Sequence, residues 1–363
     1  MLYDSIYGDF FLMAPNDTAN VPHWWNSAEP LWITAEKRGI RSALYWWDGC
    51  QIEIRGLRPT FCRKYKYVGS SWPNVYDDTR EALMSSLQLF ERNEVQLAQI
   101  YYEPVDYHGH KFGPDSPERK RAVQEIDNLL NLAQMEMLNR GLHNKVNMVV
   151  VSDHGMTSTD TKGLGVINLQ QLVDISDIKY MVYYGATSML LPYDGKTQKV
   201  YEALKGVPGL QVYLKDDIPE HYHIKHNRLT LPILLVASKH YYIQGLDIPG
   251  KSIPTGSSIS LGSHGYDPYQ VSDMRGIFFA RGPGVRKNFI TPPLQMVDIY
   301  GILCELLGFP PLPNNGTKEI AHGIVALPYS SANRLNRGSW TIIILTIKLL
   351  LCSYLHTNFV NLT

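Results

Sequence analysis

The sequence predicts an α/β sandwich built round a mostly parallel β-sheet, and two observations carry that prediction. Short apolar runs, several nearly continuous, alternate with segments of helical periodicity. Acidic and histidine side chains also gather just past those runs, and open α/β sheets bind ligands at the carboxyl ends of their strands.

The expected strands are Val95–Tyr102, Val146–Ser152, Ser188–Leu191, Leu231–Ala237 and Gly276–Ala280. Helices fall between them. Ser116 is placed to cap a helix whose first position is Pro117, and Gly141 to end it. Ile126, Leu129, Leu130, Leu132 and Ala133 give that helix an apolar stripe. Thr79–Arg92 and Leu294–Leu307 carry similar patterns, the second stopped by Gly308 and Pro310. No internal repeat or low-complexity linker divides the chain.

With 363 residues the chain can bury a large core. Its 34 Lys+Arg balance 34 Asp+Glu without a basic stripe, which argues against nucleic acid as partner. Four cysteines are too few for a disulfide scaffold, but Cys50 and Cys62 flank one short segment and pair in an oxidising compartment. Cys304 sits in an apolar helical pattern and reads as core.

The N-terminal residues show no signal peptide. Near the other end, Ser339–Leu355 is almost wholly apolar, with one lysine, Lys348. A buried helix is the plain reading; a membrane anchor or cleaved tail is preferred, because the run lies beyond the last Pro/Gly-rich loop. Small residues at Ser330, Ser331 and Ala332 suit a GPI signal, and Arg334 and Arg337 before the run disfavour a single span. The expected layout is a domain over 1–327, N-terminally incomplete, and a spacer with a hydrophobic tail over 328–363. Sequons at Asn16, Asn315 and Asn361 fit an extracellular, cell-surface protein.

Three clusters carry the chemistry. The first, "YYEPVDYHGHKFGP" (101–114), brings Asp106, His108 and His110 to the end of an apolar run. The second, "VVVSDHGMT" (149–157), ends a β-branched run in Asp153 and His154. The third, "GSHGYDP" (262–268), sets His264 before a glycine, where the backbone can approach a ligand closely. Asp/His sets without cysteine suit zinc or a similar divalent ion in an open, catalytic site. Taken singly, each histidine is more simply a turn or core residue; three clusters, each after an apolar run, make coincidence a poor account.

These motifs resemble those of the ectonucleotide pyrophosphatase/phosphodiesterase family, of the alkaline-phosphatase-like superfamily. "EPVDYHGHKFGP" is similar to its E-P-D-x-x-G-H-x-x-G-P signature, and "SDHGM" and "HGYD" to its second and third metal motifs, in the same order. "RGLRPTFC" (55–62) and "PNNGT" (313–317) match further segments, so the likeness runs from about Tyr3 to Gly323. It implies an alkaline-phosphatase-like α/β/α sandwich that hydrolyses phosphodiester or pyrophosphate bonds of extracellular nucleotides or related phosphodiesters with two zinc ions. Asp106, His110 and His264 would hold one ion, and Asp153 and His154 the other. Tyr101 matches a tyrosine lining the substrate pocket, and Tyr67 one that stacks on a nucleobase. His108 and the group His221, His223 and His226 match no metal-ligand position.

The resemblance also implies a departure. The family's threonine nucleophile, a further aspartate ligand and an asparagine precede a "MYD" segment, and here Tyr3 and Asp4 match the end of it. Thr157 follows the second metal motif and is not placed to replace the nucleophile. The chain therefore reads as lacking its nucleophile, its first strand and its first helix, with its second ion short of a ligand. A non-catalytic, surface-tethered metal- or ligand-binding fragment is the alternative. A sulfatase or phosphomutase of the same superfamily fits the first motif less well.

Overall fold

Val146–Ser152 is buried at every residue. A run of valines without polar alternation is what a strand covered on both faces requires. In the computed structural model, described over residues 1–13, 16–66, 73–159, 163–248, 259–326 and 341–347, this strand lies inside a six-stranded sheet. The strand order is Phe278–Arg281, Val146–Ser152, Thr341–Ile347, Leu97–Tyr102, Ser42–Tyr45 and Phe61–Arg63. Every pairing is parallel except that of Phe278–Arg281 with Val146–Ser152.

The sheet belongs to one of two compact units, made of Ala14–Val105, Arg121–Asp153 and Gly276–Thr363. One core cluster joins alternate residues of its strands, such as Leu44, Leu97, Val149 and Ile342, to Ile33 and Ile302 of helices Leu31–Glu36 and Met296–Leu307. Cys304 lies in that core as a buried free thiol, and burial pushes its pKa up to about 12. Cys50 and Cys62 form the expected disulfide, with Cα atoms 5.7 Å apart.

Thr341–Ile347 corrects the sequence reading. Part of the run expected as an anchor is a strand in the middle of the sheet, parallel to Leu97–Tyr102 and to Val146–Ser152. Ile342, Ile343, Ile344 and Leu345 are at most 1% exposed. Six of the seven residues are β-branched, a composition that favours the pleated, doubly covered position over a helix. No helix among the described residues is long and apolar enough to cross a membrane. Lys348–Leu355, and the small and basic residues at 330–337, lie outside the described residues.

The second unit comprises Met1–Met13, Asp106–Lys120 and His154–Arg275. Two of the expected strands fall here, in a four-stranded antiparallel sheet ordered Leu210–Leu214, Ile233–Ala237, Thr187–Pro192 and Ile178–Val182. Thr187–Pro192 alternates buried and half-buried residues, as a strand with one covered face does.

Where the sequence offered explicit start and stop signals, the elements match them. The long helix is Pro117–Asn139, the Ser116 hydroxyl accepts from the backbone N–H of Arg119 at 3.2 Å, and Gly141 takes φ +65° just beyond it. Helix Met296–Leu307 opens on a capping box between Gln295 and Asp298 and stops at Gly308, φ +81°.

Candidate metal centre

The strand Leu97–Tyr102 hands the chain straight to helix Pro104–Phe112. Asp106 and His110 are four residues apart on it, so they share a face one turn apart. Their side chains meet, with His110 Nε2 3.4 Å from Asp106 Oδ1. Proline at the first helical position suits the start, and Gly113, at φ +94°, ends the turn.

His264 arrives from a distant segment. Gly262–Ser263 pairs antiparallel with Thr157–Ser158, two residues past His154 and Gly155. This short ladder brings the second and third motifs side by side. The rings of His154 and His264 stack at 3.6 Å with 16° between their planes. The hydroxyl of Thr157 donates to Asp273 at 2.8 Å, and the N–H of Gly155 to the carbonyl of Met274 at 2.8 Å. Gly155 has no room for a side chain, since a Cβ there would stand 2.0 Å from the carbonyl oxygen of Asp273. Gly265, directly after His264, takes φ +95°, a conformation that glycine adopts without strain.

Asp106, His110 and His264 each offer one ligand atom, all within 4.8 Å of one another. His264 Nε2 is 3.1 Å from His110 Nε2 and 3.6 Å from Asp106 Oδ1. Three donors around a tetrahedral zinc with bonds of about 2.0–2.1 Å stand roughly 3.3 Å apart, so the three residues fit such an ion as they lie. The tautomer fits as well. His110 Nδ1 is 2.8 Å from the carbonyl oxygen of Gly262, and a carbonyl can only accept. Nδ1 therefore carries the proton and Nε2 keeps the lone pair that a metal needs. His154 follows the same rule, with Nδ1 2.7 Å from the carbonyl of Gly155 and Nε2 3.8 Å from Asp106 Oδ1. Asp106 is 3% exposed, so its carboxylate faces the histidines rather than water.

Of the residues expected for the second ion, His154 therefore stands against the first group. Asp153 follows the strand Val146–Ser152 in the chain and is not a member of that group. Tyr101 is half-buried between Trp47 and Tyr65, with ring centroids at 6.3 and 5.9 Å. Tyr67 lies outside the described residues. His108 stacks on Phe112 at 5.7 Å. His221 sits 3.7 Å from Asp267, and His226 3.5 Å from Glu220. Among the described residues only Asp106, His110 and His264 form a group of three able to hold a metal.

Sequence reasoning missed two contributors. Gly262 acts through a backbone carbonyl, which no side-chain motif announces. Tyr65 donates to both oxygens of Glu103 at 2.8 Å, which ties a buried carboxylate two residues past Tyr101. The helix that carries Asp106 and His110 four residues apart was not among the expected elements.

Most of the chain matches known proteins. The profile of type I phosphodiesterase / nucleotide pyrophosphatase matches residues 1–267. Human ectonucleotide pyrophosphatase/phosphodiesterase family member 7 is 30% identical over 304 residues, 82% of this chain and 64% of that protein. The human family member 5 is 33% identical over 324 residues, 87% of this chain and 64% of that protein. The chain thus spans slightly less than two thirds of the length of these two curated relatives. Among solved structures, human ectonucleotide pyrophosphatase/phosphodiesterase 5 superposes with a TM-score of 0.78 at 30% identity, covering 90% of this chain and 82% of that one. An inactive variant of the murine protein, in complex with AMP, gives 0.77 at 31% identity, with 90% of this chain and 82% of that one covered. The α/β fold and its mostly parallel sheet are those of the alkaline-phosphatase-like class, and the chain belongs to the type I phosphodiesterase / nucleotide pyrophosphatase family.

Proposed function

We propose that this protein serves zinc-dependent hydrolysis of phosphodiester or pyrophosphate bonds in extracellular nucleotides or related phosphodiesters. The observation that carries the reading is the convergence of Asp106, His110 and His264, from two segments far apart in sequence, at coordination spacing. These three residues would hold one ion, and Asp153 and His154 would contribute to a second. A pair of ions supplies stabilisation of the attacking and leaving oxygens of an in-line displacement. The chain's own part is orientation: Gly262 fixes the His110 ring, and Trp47 and Tyr65 hold Tyr101 as a pocket wall. The AMP complex of the murine relative supports a nucleotide as ligand.

Residues 1–327, completed by the strand Thr341–Ile347, are taken as the hydrolase part, acting outside the cell. The Cys50–Cys62 disulfide supports that location, as does the naming of relatives as ectonucleotide enzymes. Asn16 and Asn315 are exposed and available to carry glycans. A membrane span over 339–355 would have to withdraw Thr341–Ile347 from the sheet, so attachment and this fold compete for the same residues.

Turnover also needs a nucleophile, a role that the resemblance gives to a threonine of the family and that none of the residues assigned above fills. The test is hydrolysis of a chromogenic thymidine monophosphate ester by the purified protein with added zinc. Zinc binding with weak turnover, restored when a relative's upstream segment is joined, is the expected result. Turnover equal to that of a relative and abolished by Asp153→Ala would show that these residues supply a nucleophile of their own. Folded protein that binds no zinc would refute the metal site itself.

A further inference from the structure

A single surface loop concentrates apolar side chains that the core does not use. Between Arg286 and Val297, Phe289, Ile290, Met296 and Val297 are 43%, 93%, 54% and 42% exposed. Isolated exposed apolar residues are ordinary, but Phe289 and Ile290 are adjacent in the chain and exposed together, which marks a candidate contact point. The loop is built on firm supports. Val285 bridges to Val325, and the N–H of Arg286 donates to the carbonyl of Ile324 at 2.9 Å. Asn288 turns the chain at φ +52°. The Pro292–Pro293 pair then stiffens the return to the capped helix Met296–Leu307.

Charge decides what such a tip fits. Arg286 and Lys287 are exposed, and no acidic residue occurs from Arg286 to Val297. The next one, Asp298, is buried and spent on the backbone N–H groups of Gln295 and Thr317. Cations thus stand directly behind Phe289 and Ile290, and the Arg286 guanidinium lies 5.9 Å from the Phe289 ring. Protein–protein interface cores favour aromatic residues, Met and Arg but are depleted of Lys, and here Lys287 stands two residues before Phe289. An aliphatic and aromatic tip backed by cations instead suits the interface of a bilayer, where side chains enter the acyl boundary and cations meet headgroup phosphates.

We infer that the loop 286–297 docks the protein on a phospholipid surface, with Phe289 and Ile290 inserted and Arg286 and Lys287 on anionic headgroups. The inference does not depend on the metal centre. It is tested by sedimentation of the protein with vesicles of phosphatidylcholine alone and of phosphatidylcholine with phosphatidylserine. Ile290→Asp, at a position almost wholly in solvent, leaves the fold and its thermal unfolding unchanged. It is expected to lower vesicle binding about tenfold or more. Lys287→Gln is expected to lower it about fivefold on the serine-containing vesicles and less on the others. Leu138→Asp, which alters an exposed leucine on helix Pro117–Asn139, is the control and leaves binding unchanged. The inference is overturned by a parent protein that stays in solution with both vesicles, which would leave the loop to a protein partner. Equal binding of Ile290→Asp and parent also overturns it, as does an equal loss with Leu138→Asp.

Discussion

His110 Nδ1 lies 2.8 Å from the carbonyl oxygen of Gly262, a residue 152 positions further along the chain. That contact fixes the ring, and it depends on a close approach. A Cβ on Gly262 would stand 2.5 Å from the carbonyl oxygen of Gly109 and 2.5 Å from Met156 Sδ. Gly262→Ala keeps all three candidate ligands yet pushes the two segments apart. Zinc affinity by calorimetry is expected to fall about 10–100-fold, the usual cost of losing an orienting contact. Unchanged affinity would show that the carbonyl plays no part in holding the ring.

Metal addition and ligand removal give a second check. Zinc at a hundred times its dissociation constant is expected to stabilise the folded protein by about 2.7 kcal/mol, and a chelator to reverse this. In Asp106→Asn the same zinc concentration is expected to give little or no stabilisation. His108→Ala, which removes ring contacts with Phe112 and Tyr107 and none of the three candidate ligands, is expected to keep it. Denaturant melts with and without zinc compare the three proteins.

The central strand makes a prediction opposite to that of a tail outside the fold. Ile343 is 1% exposed, between strands on both sides. Ile343→Ala is expected to cost about 2–5 kcal/mol of unfolding free energy. A change within about 0.5 kcal/mol, as for a surface site, would show that the segment does not occupy the sheet.

Reducing the Cys50–Cys62 bond opens a loop with a sequence separation of 12. The expected loss is about 3 kcal/mol on the chain-entropy account, read as a lower unfolding midpoint in reductant. The Cys304 thiol, buried and raised to about 12, is expected to resist alkylation until the protein unfolds.

Acid should act on the motif-bearing turns through Asp273. The Lys239 ammonium, bonded at 2.7 Å, holds its carboxyl below the ordinary value of 3.8; burial pushes the other way, and the Thr157 hydroxyl adds to the lowering. A carboxylate with a depressed folded-state pKa stabilises the fold above its unfolded value and loses that contribution as pH falls through the folded one. The parent is therefore expected to lead Asp273→Asn in stability at pH 5, by well under about 1 kcal/mol because both partners are partly exposed. The lead should begin to shrink as pH falls to about 3.8 and disappear only below the still lower folded-state value. A lead that grows on acidification would contradict the assignment.

What could be read from sequence follows from how local the signals are. Ser116, Pro117 and Gly141 fix a helix by groups within a few residues of its ends, and Val146–Ser152 announces its double burial by composition. Asp106 was legible because it lies just past an apolar run, and His110 and His264 because each sits beside a glycine within a recognisable motif. Thr341–Ile347 was not, since an apolar run near a chain end suits a bilayer and a sheet interior equally, and only its neighbours distinguish them. Gly262 shows the same limit in a single atom: an orienting carbonyl is set by distant backbone, and any residue type carries one.

The position of Thr341–Ile347 also governs the order in which this protein can be completed. Its partner Leu97–Tyr102 is made about 245 residues earlier, and Val146–Ser152 soon after that. Until the last strand arrives, both leave the ribosome with unpaired edges facing one gap. Domains generally fold from the N-terminus during synthesis, but this sheet must wait for its middle. Over that interval two valine- and isoleucine-bearing edges stand open to other nascent chains, so chaperone demand and aggregation during translation should depend on how fast the segment between them and Thr341 is made.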